Sequence, residues 1–157
     1  MGLTIRAARA DDLETLLQIQ REAAVAALAH IFDQSRYPFP SDEIRELWRE
    51  ALADPDVELY IAEVDGDPAG VVSIGQEFLS ELYVVPEHQG TGVGSALHDR
   101  ALERLKERGT ARAKLGCLEE NHAARRFYER RGWELTDETR VVPFPPNPIV
   151  VQYAKEL

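Results

Sequence analysis

Residues 81–97, which read ELYVVPEHQGTGVGSAL, constrain this chain more than any other stretch. A short apolar strand ends before Pro86, a polar turn follows, and the alternating glycines Gly90, Gly92 and Gly94 lead into a helix. Glycine is required where the backbone takes dihedral angles that other residues avoid, or where a ligand approaches closely. Successive N–H groups in such a turn, together with the positive end of a helix dipole, form a concave anion site. The stretch therefore predicts a loop whose backbone holds a phosphate-bearing group.

Two familiar phosphate loops do not fit these residues. A P-loop requires lysine and then serine or threonine after its last glycine, whereas Ser95 and Ala96 follow Gly94. A dinucleotide-binding loop requires G-x-G-x-x-G directly after a strand, but Ser95 takes the place of its last glycine and residues 86–89 separate strand from loop. The pattern Q-x-x-G-x-G from Gln89 to Gly94 does fit. Taken alone, it is equally compatible with a surface turn at a glycine-rich helix start.

The composition indicates a cytoplasmic protein with no nucleic-acid or membrane partner. A chain of 157 residues, 44% of them hydrophobic, is sufficient for one domain with a buried core. The net charge of −10 argues against nucleic-acid binding, which depends on basic surface. No apolar run approaches the length of a membrane span, and the N-terminus lacks the apolar core of a signal peptide. The single cysteine, Cys117, is compatible with a reducing compartment.

Hydrophobic periodicity predicts strands and helices that alternate unevenly along the chain. Asp11 is expected to cap a first helix over residues 12–30, with Glu14 completing a capping box. Further helices are expected at residues 41–52, from the glycine loop to 108, and at 121–131. Strands are expected near residues 3–5, 57–64, 68–74, 79–85, 111–118, 133–142 and 149–154. An early and a late hairpin indicate an α+β fold, one sheet layer covered by helices, rather than a doubly wound parallel sheet.

A second motif, NHAARRFYERRGW from Asn121 to Trp133, follows the glycine loop after one helix and one strand. Together the two motifs resemble the GNAT superfamily, the coenzyme A-dependent N-acetyltransferases. The second motif matches its pattern N-x-x-A-x-x-F-Y-x-x-x-G-F, except that Trp133 replaces the last phenylalanine. The resemblance extends from Leu3 nearly to the end. It implies one N-acetyltransferase domain over residues 1–157, with a mixed, mostly antiparallel sheet of six to seven strands and about four helices.

The resemblance also implies how the chain would bind acetyl-CoA, its acyl donor. The strand backbone at residues 82–84 would bind the pantetheine arm as an added strand does, and a backbone N–H there would stabilise the oxyanion of the reaction. The glycine loop would wrap the pyrophosphate. The implied cofactor-binding residues are Leu82, Tyr83, Val84, Gln89, Gly90, Thr91, Gly92, Val93, Gly94, Ser95, Asn121, Ala124, Phe127 and Tyr128. No metal is implied, and His30, His88, His98 and His122 show no metal-ligand spacing.

Two residues are candidates for proton transfer. Tyr128 would act as general acid and protonate the leaving thiolate, because a phenol carries its proton at neutral pH. It is also compatible with a core aromatic pair formed with Phe127. A general base is needed because an amine acceptor is a cation at pH 7. Glu81 beside the cofactor strand is the tentative base and Glu77 the other candidate, although Glu81 equally fits a solvent-facing position on a half-buried strand.

The predicted function is direct transfer of an acetyl group from acetyl-CoA to a primary amine of a small molecule, with a peptide N-terminus as second choice. The alternative is a non-catalytic module that binds acyl-CoA on the same fold. Phe32, Tyr37, Phe39 and Trp48 lie where the superfamily varies to form its acceptor pocket. The proline-rich segment at residues 143–148 is expected to close that pocket or to join a homodimer. Cys117 is expected to be a small buried apolar residue.

Overall fold

Seven strands form one sheet in the computed structural model, which describes residues 2–157, and their order is β1-β2-β3-β4-β5-β7-β6. The strands are β1 (Leu3–Ala7), β2 (Val57–Val64), β3 (Asp67–Gly75), β4 (Phe78–Val84), β5 (Arg112–Leu118), β6 (Glu134–Val141) and β7 (Ile149–Glu156). The helices are α1 (Leu13–Ala27), α2 (Ser41–Ala53), α3 (Val93–Glu107) and α4 (His122–Glu129). Every neighbouring pair is antiparallel except β4 and β5. The predicted α+β fold with a mostly antiparallel sheet is therefore confirmed.

Helices cover both faces of the sheet and create two apolar cores. On one face, α1 and α2 pack against β2 and β3 around Leu16, Trp48 and Ile61. On the other face, α3 and α4 pack against the sheet around Leu97 and Tyr128. Alternate residues of a strand point to opposite faces, so each central strand supplies both cores.

A β-bulge in β4 sets the direction of the side chains that follow it. The register pairs Leu79 with Ile74 and Glu81 with Ser73, so Ser80 is the additional residue. A bulge shifts the side-chain alternation by one position. As a result, Leu79 and Leu82 both pack towards α3 and α4, while Tyr83 packs towards α1 and α2.

The start of α1 corrects one prediction. A short 3₁₀ turn covers residues 10–12 and the α-helix begins at Leu13, so Asp12, not Asp11, provides the carboxylate at the helix start. The Asp12 carboxylate accepts a 2.7 Å hydrogen bond from the backbone N–H of Arg9 and bonds of 2.8 and 2.9 Å from Arg6. The hydrogen bonds from Arg6, opposed by burial, lower the pKa of Asp12 to about 2. This long-range partner on β1 explains why Asp12 prevails over the local capping-box pattern.

Most other element boundaries lie within a few residues of the predicted ones. The first helix ends at Ala27 instead of His30, and the last strand continues to Glu156 instead of ending at residue 154. Asn121 caps α4 as predicted, and its side-chain oxygen accepts a hydrogen bond from the N–H of Ala124 at 3.2 Å. These elements bring the two sequence motifs to the same edge of β4.

Candidate active site

A cleft opens between β4 and β5, the two parallel strands at the centre of the sheet. A single register pair, Phe78 with Lys114, joins them, and the N–H of Lys114 bonds to the carbonyl of Glu77 at 3.0 Å. Beyond this point β4 pairs with β3 alone. The far half of β4 therefore has an edge whose backbone groups are not used by the sheet.

The hydrogen-bond pattern indicates which backbone groups face this cleft. The N–H of Val85 bonds to the carbonyl of Ala69 on the β3 side at 2.9 Å. Successive residues of a strand direct their polar groups to opposite edges, so those of Leu82 and Val84 face the cleft. The carbonyl of Val84 accepts a 3.1 Å hydrogen bond from the Gln89 side chain. The remaining groups, including the N–H of Leu82, are in position to bind an extended ligand.

The glycine loop lies at one end of the cleft and has the predicted backbone geometry. Gly90 and Gly92 have φ angles of 73° and 91°, in the left-handed region that favours glycine. A Cβ atom built on either residue meets no protein atom within 4 Å, so both face open space. Gly92 is also the N-cap of α3. The loop thus presents the start of a 15-residue helix to an accessible concave surface.

Gly94 has a different role, because it lies within α3 and faces protein atoms. A Cβ atom at this position would be 3.6 Å from both the Phe127 ring and the Val84 side chain. Arg131, which lies just after α4, donates hydrogen bonds to the Ser95 hydroxyl and, at 3.0 Å, to the carbonyl of Phe127. Its guanidinium lies 3.6 Å from the centre of the Phe127 ring. Arg131 therefore connects α4 to the loop, a contact that the sequence pattern did not identify.

Tyr128 lines a cavity at the other end of the cleft. Its side chain is 8% exposed, and its ring packs edge-to-face against Phe127 with the ring centres 5.3 Å apart. Across residues 2–157, no protein group forms a hydrogen bond with its hydroxyl, and the residue is part of the cavity wall. Burial is the main reason that the pKa of Tyr128 is raised, followed by the negative charges that Cys117 and Glu81 can carry. The phenol consequently keeps its proton over the whole physiological pH range.

Glu81 lies on the wall of the same cavity. Burial raises the pKa of its carboxyl, while Tyr83 and then Arg140 act in the opposite direction. Its side chain remains partly accessible from the cavity. Glu77, the other candidate base, forms an ion pair of 3.3 Å with Lys114 at the closed end of the cleft. Of these two carboxylates, only Glu81 contributes to the cavity lined by Tyr128.

A polar chain from α1 and α2 reaches Tyr83 beside this carboxylate. The indole N–H of Trp48 donates to the side-chain oxygen of Gln20 at 2.8 Å, and the Gln20 amide donates to the Tyr83 hydroxyl at 3.2 Å. Gln20 was missed in the sequence. The available signal was its position between Leu17 and Ala24 on the apolar stripe of α1, where a polar side chain needs a partner.

The cavity has a volume of about 820 Å³, within the range of small-molecule sites. Its walls come from α1, α2, the connection between them, β4, β5, α4, β6 and the proline-rich segment that precedes β7. The aromatic side chains expected at the acceptor pocket line it, together with one from the proline-rich segment: Phe32, Tyr37, Phe39, Trp48 and Phe144. The positions predicted for acceptor binding and those predicted for proton transfer thus share one cavity.

Cys117 and His98, two other residues considered in the sequence, have surroundings typical of residues that stabilise the fold. Cys117 is 7% exposed, and burial raises the pKa of its thiol to about 11. His98 is buried, and its Nε2 accepts a 3.0 Å hydrogen bond from the indole of Trp133. Within residues 2–157, no three side chains of histidine, cysteine, aspartate or glutamate are grouped as metal ligands. None of the helices in that range is both long and apolar enough to cross a membrane.

Comparisons with known proteins identify the family of this chain. Residues 21–133 match a family model described as the acetyltransferase (GNAT) family. The chain is 28% identical over 137 residues to an uncharacterized N-acetyltransferase of Archaeoglobus fulgidus, a match covering 80% of this chain and 89% of the relative. It is 29% identical over 142 residues to the peptidyl-lysine N-acetyltransferase YjaB of Salmonella typhimurium, with 90% of each chain covered.

The solved structures share the fold at lower sequence identity. The PaiA N-acetyltransferase of Thermoplasma acidophilum, in complex with coenzyme A, aligns over 100% of both chains with a TM-score of 0.77 and 20% identity. The putative acetyltransferase YncA of Salmonella typhimurium, with its cofactor acetyl-CoA, aligns over 100% of this chain and 95% of its own with a TM-score of 0.73 and 22% identity. These TM-scores, over nearly the whole length of each chain, establish the common fold.

Proposed function

The chain belongs to the acetyltransferase (GNAT) family and is an N-acetyltransferase, and on that premise we propose that it transfers the acetyl group of acetyl-CoA directly to the primary amine of a small molecule. A peptide N-terminus is the second choice of acceptor. The proposal treats residues 1–157 as one catalytic domain. The observation that carries it is a cavity lined by both Tyr128 and Glu81, next to the open edge of β4. Within residues 2–157 the Tyr128 hydroxyl has no hydrogen-bond partner.

The residues around the cleft fit coenzyme A. The left-handed Gly90 and Gly92, which face open space, give a backbone cradle for a pyrophosphate at the start of α3. The cleft-facing groups of Leu82 and Val84 suit an extended arm with amide groups, which would bind as an added strand. Ser95, Asn121, Ala124 and Phe127 border the same path. Bound acetyl-CoA would supply an activated acetyl group as a thioester.

The side chains of the cavity would then move two protons. Glu81 would accept a proton from the ammonium of the acceptor, directly or through water, and the free amine would attack the acetyl carbonyl carbon. As the new C–N bond forms and the C–S bond breaks, Tyr128 would donate its proton to the leaving sulfur. The attacking nitrogen loses a second proton, which restores the tyrosine. The sum is one amide, one thiol and one proton released to solvent.

The carboxyl and phenol fit these two roles because burial acts on both. A carboxyl whose pKa is raised is a stronger base once ionised and is better matched to an amine. A phenol whose pKa is raised by burial is fully protonated when the thiolate leaves. A backbone N–H of β4, at Leu82 or Val84, would stabilise the charge that develops on the carbonyl oxygen.

The cofactor site is tested by calorimetric titration with acetyl-CoA. Gly92→Glu would place a carboxylate in the pyrophosphate cradle and should abolish binding. Gly66→Glu is the matched control, because Gly66 also has a left-handed φ of 85° and open space but lies in the β2–β3 hairpin. Binding by the parent and by Gly66→Glu, but not by Gly92→Glu, is the expected result. Absence of binding by the folded parent would reject the proposal.

Turnover is tested by the release of free thiol from acetyl-CoA with a panel of primary amines. The panel includes a lysine peptide and a peptide with a free N-terminus, because the similar YjaB protein is named a peptidyl-lysine N-acetyltransferase. We expect small amines to be acetylated faster than either peptide, since the cavity has the volume of a small-molecule site. Tight acetyl-CoA binding without turnover on any amine would instead indicate the non-catalytic acyl-CoA-binding module.

A further inference from the structure

Two arginines line the cavity without a carboxylate partner in the described part of the chain. Seven of the 15 arginines form ion pairs within residues 2–157, as Arg6 does with Asp12 and Arg104 with Glu58. Arg36 and Arg140 form none within residues 2–157, and both contribute to the wall of the cavity. The chain has 28 acidic residues against 18 lysines and arginines, so a shortage of carboxylates does not explain this. These two differ from the other arginines without an ion pair because they line the cavity, where a bound anion would reach them.

Arg140 is the one of the two that lies near the proposed site of proton transfer. It is on β6, and its guanidinium reaches across the sheet to β5, where its Nη2 is 3.8 Å from the position of a Cβ on Gly116. The same hypothetical Cβ would be 3.0 Å from Val150. A side chain at position 116 would therefore crowd the surface on which the guanidinium lies.

Arg140 extends from β6 to β5, the strand next to β4, which carries Glu81, and both residues line the cavity. Arg140 favours the charged form of the Glu81 carboxyl and so lowers its pKa against the effect of burial. Arg36 is instead held on the connection between α1 and α2, with its guanidinium 5.3 Å from the centre of the Tyr37 ring. Arg140 therefore adjoins the expected amine position, whereas Arg36 adjoins the aromatic part of the cavity.

We propose that the acceptor is a free α-amino acid with a large apolar side chain, whose carboxylate is bound by Arg140 while its amine faces Glu81. This inference rests on the proposed acetyltransferase function and names the substrate class of the same site. In an α-amino acid the amine and the carboxylate are attached to the same carbon, so an acidic and a basic side chain that line one cavity suit its two groups. Arginine binds carboxylates through two parallel N–H groups, which also fixes the orientation of the ligand.

The rest of the cavity suits an apolar side chain. Phe39, Trp48 and Phe144 belong to its wall, with Leu28 and Leu47 nearby. A peptide N-terminus has an amide in place of the carboxylate, and a lysine side chain of a protein has only methylene groups there. Neither would use the Arg140 guanidinium, so the arrangement favours the free amino acid.

The test compares acceptors that differ only in the anionic group. L-Phenylalanine, L-phenylalaninamide and phenethylamine share one side chain and one amine, and L-leucine with 3-methylbutylamine forms a second set. The measured quantity is the ratio of kcat/KM for the amino acid to that for its neutral analogue, in the parent and in Arg140→Met and Arg140→Lys. If a variant also disturbs Glu81 or acetyl-CoA binding, kcat/KM changes by the same factor for both acceptors, so their ratio does not change.

We expect the parent to prefer the amino acid, and Arg140→Met to lower the ratio by about 10- to 100-fold, the range for one charge-assisted contact. Arg140→Lys should retain part of the preference, since it keeps the charge but not the planar fork. Arg112→Met is the control, because Arg112 is an exposed arginine at the far end of β5, paired with Glu156. It should leave the ratio at the parent value.

Further results separate the possible failures. If the parent acetylates the neutral analogues as well as the amino acids, or if Arg140→Met keeps the preference, the α-amino acid assignment is wrong while the acetyltransferase function stands. If none of these acceptors is acetylated but another amine of the panel is, the α-amino acid assignment again fails alone. If acetyl-CoA binds but no amine of the whole panel is acetylated, the proposed function itself fails. Phenylalanine should also raise the thermal midpoint of the parent in the presence of coenzyme A, more than it does for Arg140→Met, and this readout needs no turnover.

Discussion

Gln20 donates a hydrogen bond to the Tyr83 hydroxyl across 3.2 Å, and this contact joins α1 to β4 inside the cavity. The Gln20 oxygen is already occupied by the Trp48 indole at 2.8 Å, so its amide group has a fixed orientation. Because the Tyr83 oxygen accepts from Gln20, its own proton is available to the Glu81 carboxyl beside it. Gln20 therefore positions Tyr83 and, through it, the proposed base.

Replacing Gln20 by leucine should lower turnover without preventing folding. The change leaves the Trp48 indole without its acceptor and frees the Tyr83 ring to turn away from Glu81, so we expect kcat to fall about 10-fold. We also expect the acidic limb of the pH–rate profile to move, because Tyr83 helps to set the pKa of Glu81. Gln18→Leu is the control, since Gln18 is exposed on the same helix and bonds only to Glu22. An unchanged pH profile in Gln20→Leu would contradict the positioning role.

Tyr128→Phe should separate catalysis from stability. Removing the proposed acid is expected to lower kcat by about 100-fold or more, while the thermal midpoint changes little because the hydroxyl has no partner among residues 2–157. Tyr153→Phe should show the reverse. Its buried hydroxyl donates to Glu129 at 2.7 Å and accepts from Arg125 at 2.9 Å, so its loss should reduce stability by about 1–2 kcal/mol. Parent-like turnover in Tyr128→Phe would rule out the tyrosine as acid.

Gly70→Ala should destabilise the fold through a backbone clash. A Cβ atom at Gly70 would be 2.8 Å from the carbonyl oxygen of Tyr83 and 2.9 Å from the Leu97 side chain, so β3, β4 and α3 cannot keep their present spacing. We expect a loss of about 1–3 kcal/mol in chemical denaturation. Gly75→Ala on the same strand should stay within about 0.5 kcal/mol of the parent, because its Cβ would be an ordinary 3.6 Å from Val57. Equal stability of the two variants would show that the close approach is relieved without cost.

His98 should make the protein less stable in weak acid. Burial lowers the pKa of its imidazole below the usual 6.5, although Asp99 acts in the opposite direction. At pH values between 6.5 and the lower pKa of the folded state, His98 binds a proton in the unfolded chain but not in the folded chain. The free energy of unfolding therefore falls as the pH drops below about 6.5. The free energy of unfolding of the parent should therefore decrease from pH 7.5 to 5.5 by more than that of His98→Gln. His122→Gln, an exposed histidine change, should retain the parent's decrease.

Local sequence signals accounted for the parts of the site that depend on backbone conformation. The left-handed glycines, the Asn121 cap and the succession of strands and helices along the chain all follow from residue types at short spacing. Side chains whose role depends on partners far away in the sequence could not be predicted in this way. Asp12 prevails over Asp11 because Arg6 lies on β1 beside it. Arg140 lines the cavity from β6, and the place of β6 in the sheet was not predicted from the sequence. Gln20 is intermediate, since its place on an apolar stripe was visible but its partners were not.

The separation of β4 from β5 has a consequence for the exchange of backbone amide hydrogens with solvent. The N–H of Val85 is bonded to β3, and that of Tyr83 faces the same way, so both should exchange slowly. The N–H groups of Leu82 and Val84 face the cleft and should exchange far faster, although all four residues adjoin the same buried strand. Binding of acetyl-CoA should remove this alternation by slowing the fast pair. The centre of the sheet would thus gain its full protection from a ligand instead of from a neighbouring strand.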